Sequence, residues 1–416
     1  MIYYALITLF LILSGYILAK IPGRESFLLS RETAAFGYMI LSSFFGGKIL
    51  KNTLFPQITG YLLIGILVGP SFLSIVDKIT LSHLGIIDEI ALALIAFAAG
   101  AKVDLLKAKK LWKDITGIII LQILLVFVLV GISIPFLIKL MKISPNFKIS
   151  ILIFLVLATA AVAKSPATTI AIILETKAEG TFTDIIIGVT IIKDIVIIFL
   201  FTMVTALISS GKNIQFSTFA NLSLEILNSI VLGVVFAALI VAYFNLFKGG
   251  RFPFILGTAF LISAIAHHFH FHSLLACMVA GIGIKNFSSV GKDFLKALEA
   301  SSLPILIVFF SISGASLDFS ILKLIFPAAI FFVIVRIISL YIATYLGARE
   351  PRVKKYGWMG FVAQAGLTLG FASLVGTNFP LYGNLLKNLI ISAVIITTII
   401  GPPLFNFSLK KAGETK

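Results

Sequence analysis

The sequence predicts an all-α polytopic membrane protein of about thirteen to fourteen transmembrane helices, and three observations carry that prediction. Apolar residues fill 59% of the 416 positions and charged residues only 12%, with a mean hydropathy of +1.12, well outside the composition of soluble globular domains. The apolar residues are gathered in runs close to the ~20 residues that a helix needs to cross the hydrocarbon core. The charges lie in short stretches between those runs, so a single membrane domain is expected, with no soluble regulatory domain attached.

Backbone in lipid must satisfy its own hydrogen bonds, so each run is read as a helix. In the first half the runs are Ile2–Ala19, Thr33–Ile49, Ile58–Val76, Leu84–Ala101, Ile115–Ile138, Ile149–Leu174 and Ile185–Ile208. The second half adds Leu222–Phe247, Phe252–Ala266, Ser273–Ile284, Leu303–Leu317, Ile321–Leu346, Tyr356–Val375 and Leu386–Phe405. Ser273–Ile284 is short and must borrow its flanks to cross. The first run lacks a basic leader and a cleavage site, so it is expected to be a retained span.

Counted on alternate sides of this scheme, one side carries roughly twice the Lys and Arg of the other, which places both termini in the cytoplasm and the protein in the inner membrane. Lys102, Lys107, Lys109, Lys110 and Lys113 form the most basic inside loop. The net charge of +16 is therefore a matter of orientation, and no nucleic-acid partner is expected. The single cysteine, Cys277, excludes an intramolecular disulfide and reads as a packing residue.

Four ionisable residues lie deep inside spans: Lys164, Lys193, Asp194 and Arg336. A charge near the bilayer centre costs at least ~2.5–3.5 kcal/mol, so such residues are retained when paired, hydrated or functional. Most of the seventeen acidic residues lie in loops or near span ends, whereas Asp194 sits well inside a long apolar run. Two spans carry breaking sequences. Ala163-Lys164-Ser165-Pro166 puts a proline inside the sixth, removing a donor and freeing upstream carbonyls for a cation. In the thirteenth, Gln364-Ala365-Gly366 joins a glycine tolerant of an unwound turn to an amide that both donates and accepts.

One interrupted helix per half points to inverted repeats with a midplane site, although kinked spans are also ordinary in membrane proteins. An isolated carboxylate in hydrocarbon takes a proton or a dehydrated monovalent cation, not both, and such competition is antiport. The structural alternative is an ion pair with Lys193, Lys164 or Arg336, of which Lys193, on a different helix face, is the least natural.

The chain resembles the monovalent cation:proton antiporter-2 family, related to sodium/proton exchangers, over nearly its whole length. The resemblance rests on Pro56-Gln57-Ile58-Thr59-Gly60-Tyr61-Leu62-Leu63 running to Gly69-Pro70, and on Ser165-Pro166-Ala167-Thr168 ahead of the Asp194 span. It rests also on Gly314-Ala315-Ser316-Leu317-Asp318, on Arg336 with Tyr345-Leu346-Gly347-Ala348, and on Gln364-Ala365-Gly366. It implies a homodimer with a scaffold and a mobile core, elevator-type alternating access, and two unwound helices crossing beside the ion-binding Asp194. On that pattern residues 1–32 form an extra helix, 33–210 the first repeat, 211–250 a linker helix and 251–410 the second repeat. Lys164, Ser165, Thr168, Lys193, Arg336 and Gln364 accompany Asp194 at the ion and proton site, with Pro166 and Gly366 at the helix breaks. Arg336 resembles the basic residue of relatives that pairs with the carboxylate.

The chain departs from that family at two places. Relatives usually carry Asp-Asp or Asn-Asp where this chain has Lys193-Asp194, and Lys164 stands where a small hydroxylated residue is expected. Three readings follow. One lysine serves as the proton carrier and leaves Asp194 for Na⁺ or K⁺; or Lys193 is a fixed counter-charge that replaces a bound cation; or Lys164, Lys193 and Arg336 line a pocket for a small anion, with Asp194 carrying the coupling proton. A transport-inactive sensor with the same fold is the alternative outside transport. His267, His268, His270 and His272 read as a polar connection rather than a metal site, since no Cys or carboxylate stands beside them. No constellation of nucleophile, metal ligands or phosphate loop is present, so neither enzyme activity nor a cofactor is expected.

Overall fold

The computed structural model describes residues 2–19, 28–50, 55–210, 216–300, 302–379 and 381–415. Among them there are helices and connections and no strand. The first part of the chain folds into α1 (Ile2–Ala19), α2 (Leu28–Leu50), α3 (Gln57–Val68), α4 (Lys78–His83), α5 (Gly85–Lys102), α6 (Leu105–Leu140), α7 (Phe147–Val162), α8 (Pro166–Thr176) and α9 (Thr181–Ser210). The rest forms α10 (Phe216–Leu246), α11 (Arg251–Phe269), α12 (Ser273–Phe287), α13 (Gly291–Ala300), α14 (Ser302–Ala315), α15 (Phe319–Gly347), α16 (Pro351–Tyr356), a 3-10 helix (Gly357–Phe361), α17 (Gly366–Asn378) and α18 (Gly383–Ala412).

Among the described residues eight helices are long and apolar enough to cross a bilayer, or ten when two bent pairs each count as one span. Three shorter apolar helices, Tyr3–Ser14, Gln57–Val68 and Ser273–Phe287, accompany them. The predicted run that remains, Leu84–Ala101, is α5. Every predicted span thus meets a helix or a helix pair.

Three expectations need correction. The run Ile58–Val76 is not one helix. It stops at Val68, where Gly69-Pro70 turns the chain back and the Val76 N–H reaches the Val68 carbonyl at 3.0 Å. The basic stretch from Lys107 to Lys113 is not a loop: Asp104 caps α6 by accepting from the Leu106 and Lys107 amides, so the helix starts ten residues before its apolar part. An amphipathic helix, α13, precedes the eleventh span; it is too short and too polar to register as an apolar run, and it buries Phe294 and Leu298.

The chain divides into two compact units, Met1–Lys102 with Ala171–Lys177 and Ser229–Asp318, and Val103–Ile170 with Ala178–Asn228 and Phe319–Lys416. In the first, α3 packs on α14 through glycines: a Cβ on Gly65 would collide with the Ser311 carbonyl, and one on Gly314 with that of Leu62. Close backbone approach is the usual basis of helix association in lipid, where burying apolar surface gains nothing over contact with lipid tails. In the second unit α6 lies along α15, and a Cβ on Gly117 would fall 2.5 Å from the Gly347 carbonyl oxygen.

Candidate functional site

All of the site residues belong to the second unit, and two interrupted helices build it. α7 ends at Val162, residues 163–165 are extended or irregular, and α8 restarts at Pro166. Pro166 is therefore the first residue of the second half-helix, where a missing N–H leaves no bond unmade, and the break lies just before it. The partner interruption runs from the 3-10 helix through residues 362–365 into α17 at Gly366, with a bend of 49°. The two gaps are hydrogen-bonded to each other: the Ser165 N–H donates to the Ala363 carbonyl at 2.8 Å, and Gln364 Nε2 donates to the Ala160 carbonyl at 2.7 Å.

Arg336 locks this crossing. Fully buried on α15, it donates from Nε to the Ala161 carbonyl at 2.8 Å, from Nη1 to Val362 at 2.7 Å, and from Nη2 to Ala163 at 2.8 Å and Phe361 at 3.0 Å. A planar guanidinium meets several carbonyls at once in a way that an ammonium does not. It also places positive charge against the C-terminal ends of two helical segments, where the partial charge is negative.

With Gln364 O accepting from Thr398 Oγ1 at 2.7 Å and Ala365 O from the Thr368 N–H at 2.9 Å, every carbonyl from Phe361 to Ala365 is taken. At the first break the Ala161, Ala163 and Ser165 carbonyls accept as well. The expected pairing of Arg336 with Asp194 is corrected here: among the described residues no ion pair joins them, because the guanidinium is engaged by backbone.

The remaining residues are arranged around α9. Ser165 caps α8, its hydroxyl accepting from the Thr168 N–H at 3.1 Å and from Thr168 Oγ1 at 3.0 Å. The Lys164 ammonium is buried, donates to Thr169 Oγ1 at 3.0 Å and to Thr190 Oγ1, and lies 5.2 Å from the centre of the Phe361 ring. Lys193 approaches the same ring at 6.0 Å and donates to Gln122 Oε1 at 2.7 Å. Gln122 is held in turn through its Nε2 to Thr344 Oγ1 at 2.9 Å.

Asp194 follows Thr190 by one helical turn, so Lys164 is anchored one turn below it on the same face. The carboxylate is 5% exposed and its Oδ1 has no hydrogen-bond partner. No ion pair within 4 Å includes it among the described residues. A buried carboxylate oxygen without a hydrogen-bond partner is costly.

The sequence brought together Lys164, Ser165, Thr168, Lys193, Asp194, Arg336 and Gln364, and all seven lie in this unit around the crossing and α9. It missed Gln122, Thr169, Thr190, Thr344 and Phe361. Gln122 carried a signal, as the one amide in the apolar run Ile115–Ile138, whereas nothing separates Thr190 or Phe361 from ordinary packing residues. The histidines lie elsewhere. His267 and His268 end α11, His270 is its left-handed cap, and the His272 N–H donates to Ser229 Oγ at 2.8 Å. Among the described residues no group of three His, Cys, Asp or Glu could hold a metal ion.

A bundle of membrane-crossing helices, two of them interrupted and crossing where a buried carboxylate keeps one oxygen without a hydrogen-bond partner, is by class a membrane transporter. The family model "Sodium/hydrogen exchanger, transmembrane" matches residues 33–411, and the chain belongs to that family of transporters, not to an enzyme family. Its fold is that of the sodium proton antiporter MjNhaP1 from Methanocaldococcus jannaschii. The structure of that protein at pH 8 matches with a TM-score of 0.67 and 16% identity, covering 92% of this chain and 99% of the other. A three-dimensional electron-microscopy map of the same antiporter matches at 0.71 and 18%, covering 92% and 97%. At such identities the likeness concerns the fold. No curated protein sequence matches the chain significantly.

Proposed function

We propose that the protein exchanges a monovalent cation, Na⁺ or K⁺, for protons at Asp194. The observation that carries this reading is the buried, unpartnered Oδ1 on the helix beside the two crossed breaks. Lys164 is the proton-carrying lysine in this scheme. Both hydroxyls that it meets give their own hydrogens elsewhere, Thr190 to the Ile186 carbonyl and Thr169 to the Ser165 or Gly360 carbonyl, so each accepts from the lysine. Two acceptors match the two N–H bonds of a neutral amine, and the third N–H of an ammonium turns to the Phe361 face or to Asp194. Protonated Lys164 compensates the carboxylate, and the neutral amine leaves it to a cation. Lys193, tethered to Gln122, serves as a fixed charge.

The small-anion alternative is the weaker one, because Lys164, Lys193 and Arg336 all donate to acceptors within the protein. The finer features implied by the resemblance belong to the same proposal: the cation:proton antiporter-2 branch, repeats over 33–210 and 251–410, elevator-type access, a homodimer, and an inner-membrane location with both termini cytoplasmic.

The test is proton flux in proteoliposomes under an imposed pH gradient, on adding Na⁺, Li⁺ or K⁺. Cation-driven dissipation that vanishes in Asp194→Asn supports exchange, and Lys164→Met is expected to reduce the pH dependence of cation affinity to what Asp194 alone contributes. Silence toward every cation in the unmodified protein, together with ligand-dependent partner binding, would replace the antiporter with a sensor.

A further inference from the structure

We propose that Glu414 is a positioning residue for Asp194, setting the rotational register of α9; the inference rests on reading Asp194 as the ion site. After α18, Gly413 adopts a left-handed conformation (φ 72°) and turns the chain, so that the Glu414 N–H returns to the Leu409 carbonyl at 3.2 Å. The Glu414 side chain then reaches the start of α9. Oε1 accepts from the Phe182 N–H at 2.9 Å and Oε2 from the Thr183 N–H at 2.8 Å. Its main-chain carbonyl accepts from the Glu179 N–H at 3.0 Å. Gly180, at φ 150°, lies against the carboxylate so closely that any side chain there would collide with it.

Two further contacts hold the same corner. Arg352 Nη1 donates to the Ala412 carbonyl at 2.9 Å, and Lys107 pairs with Asp184 of α9 at 3.6 Å.

Helix N-termini are ordinarily capped from the residue just ahead of them. Here the cap comes from the far end of the sequence and is bidentate. One oxygen on each of two successive amides fixes both the axial position and the roll of the helix, as a single bond could not. Roll matters at this helix because successive residues are about 100° apart around its axis. A roll of that size, about 16 Å further along, would exchange Lys193 for Asp194 on the face turned to the crossing.

The experiment compares the full-length protein with Glu414→Ala, Glu414→Gln and Gly180→Ala in proteoliposomes. It reads amide exchange at Phe182 and Thr183, the rate at which a hydrophobic carbodiimide labels Asp194 (located by peptide mass spectrometry), and the half-saturating cation concentration for flux. In Glu414→Ala the two amides are expected to exchange about fivefold faster, as for a lost cap. Labelling of Asp194 and half-saturation should each change at least about threefold, a smaller effect than that of residues that orient a metal's ligands directly. Glu414→Gln, which keeps one acceptor oxygen, should fall between Glu414→Ala and the unmodified protein.

Faster amide exchange with unchanged labelling and half-saturation would reduce Glu414 to a simple cap and overturn the proposal. If Glu414→Ala does not fold, the Gln variant and Gly180→Ala, which displaces the carboxylate while keeping it, decide the question on the same readouts. If the unmodified protein shows no cation-driven flux, the exchange reading fails by itself, and the labelling of Asp194 still tests whether Glu414 positions it.

Discussion

Replacing Arg336 with methionine, which is of similar length but has no donors, tests the central structural claim that one guanidinium holds both interrupted helices. Its side chain makes four hydrogen bonds to main-chain carbonyls, two on each side of the crossing. Hydrogen bonds measured within membranes average about 0.6 kcal/mol, and typical ones in proteins reach about 1.5 kcal/mol, so four of them amount to about 2.5–6 kcal/mol. Arg336→Lys should recover part of the loss, since an ammonium has three donors but not the planar fork that reaches both gaps. Unfolding of the purified protein in micelles gives the global number, and amide exchange at Ser165, whose N–H bridges to Ala363, gives the local one. If Arg336→Met unfolds within about 1 kcal/mol of the unmodified protein, with Ser165 still protected, the crossing does not depend on the guanidinium.

Gln122→Leu should remove the tether of Lys193 and destabilise the protein by about 3 kcal/mol, as expected for a buried charge that loses its partner. Adding Lys193→Met should return at least ~1 kcal/mol of that loss, read as a double-mutant cycle in unfolding; simple additivity would deny the contact. Gly347→Ala places a Cβ 2.6 Å from the Gly117 carbonyl oxygen and should lower stability by about 1–3 kcal/mol as α15 is forced off α6, measured by thermal unfolding. Pro166→Ala is expected to change stability by less than about 1 kcal/mol, because proline at the first position of α8 breaks no hydrogen bond. A larger loss in the same assay would mean that the proline itself maintains the break.

The contrast between Pro166 and Arg336 shows what was legible in the sequence. The apolar runs are legible as helical segments because spanning length and charge-free composition are local properties, whereas the turn that ends α3 at Val68 inside the run Ile58–Val76 is not marked by composition. Both breaks were located for a similar reason: proline, glycine and polar residues inside a span leave a local mark. What maintains the breaks is not local. The donors that saturate the carbonyls come from Arg336, 175 residues from one acceptor, and from Thr398, on another helix again. The depth of Arg336 in its span flagged it as important, but the family pattern assigned it to the carboxylate, and only three-dimensional structure shows that its donors point elsewhere. Likewise α13 was hidden because a ten-residue amphipathic helix lacks an apolar run, and its buried face, Phe294 and Leu298, becomes meaningful only against its neighbours.

The occupied carbonyls of the second break bear on how exchange would be coupled. With those from Phe361 to Ala365 already accepting, that break acts on a cation at Asp194 chiefly through the charge placed nearby rather than as a set of free ligands. Lys164 then becomes the decisive charge. Its anchor, Thr190, lies four residues before Asp194, about 6 Å along the helix. Two positive charges at that separation, in an effective dielectric of about 20, repel by about 3 kcal/mol, roughly a hundredfold in cation affinity. On the proposed reading, a proton on Lys164 and a cation on Asp194 therefore exclude one another without sharing a ligand. Antiport can then be sustained at a site with a single carboxylate, where relatives usually place two polar or acidic residues side by side.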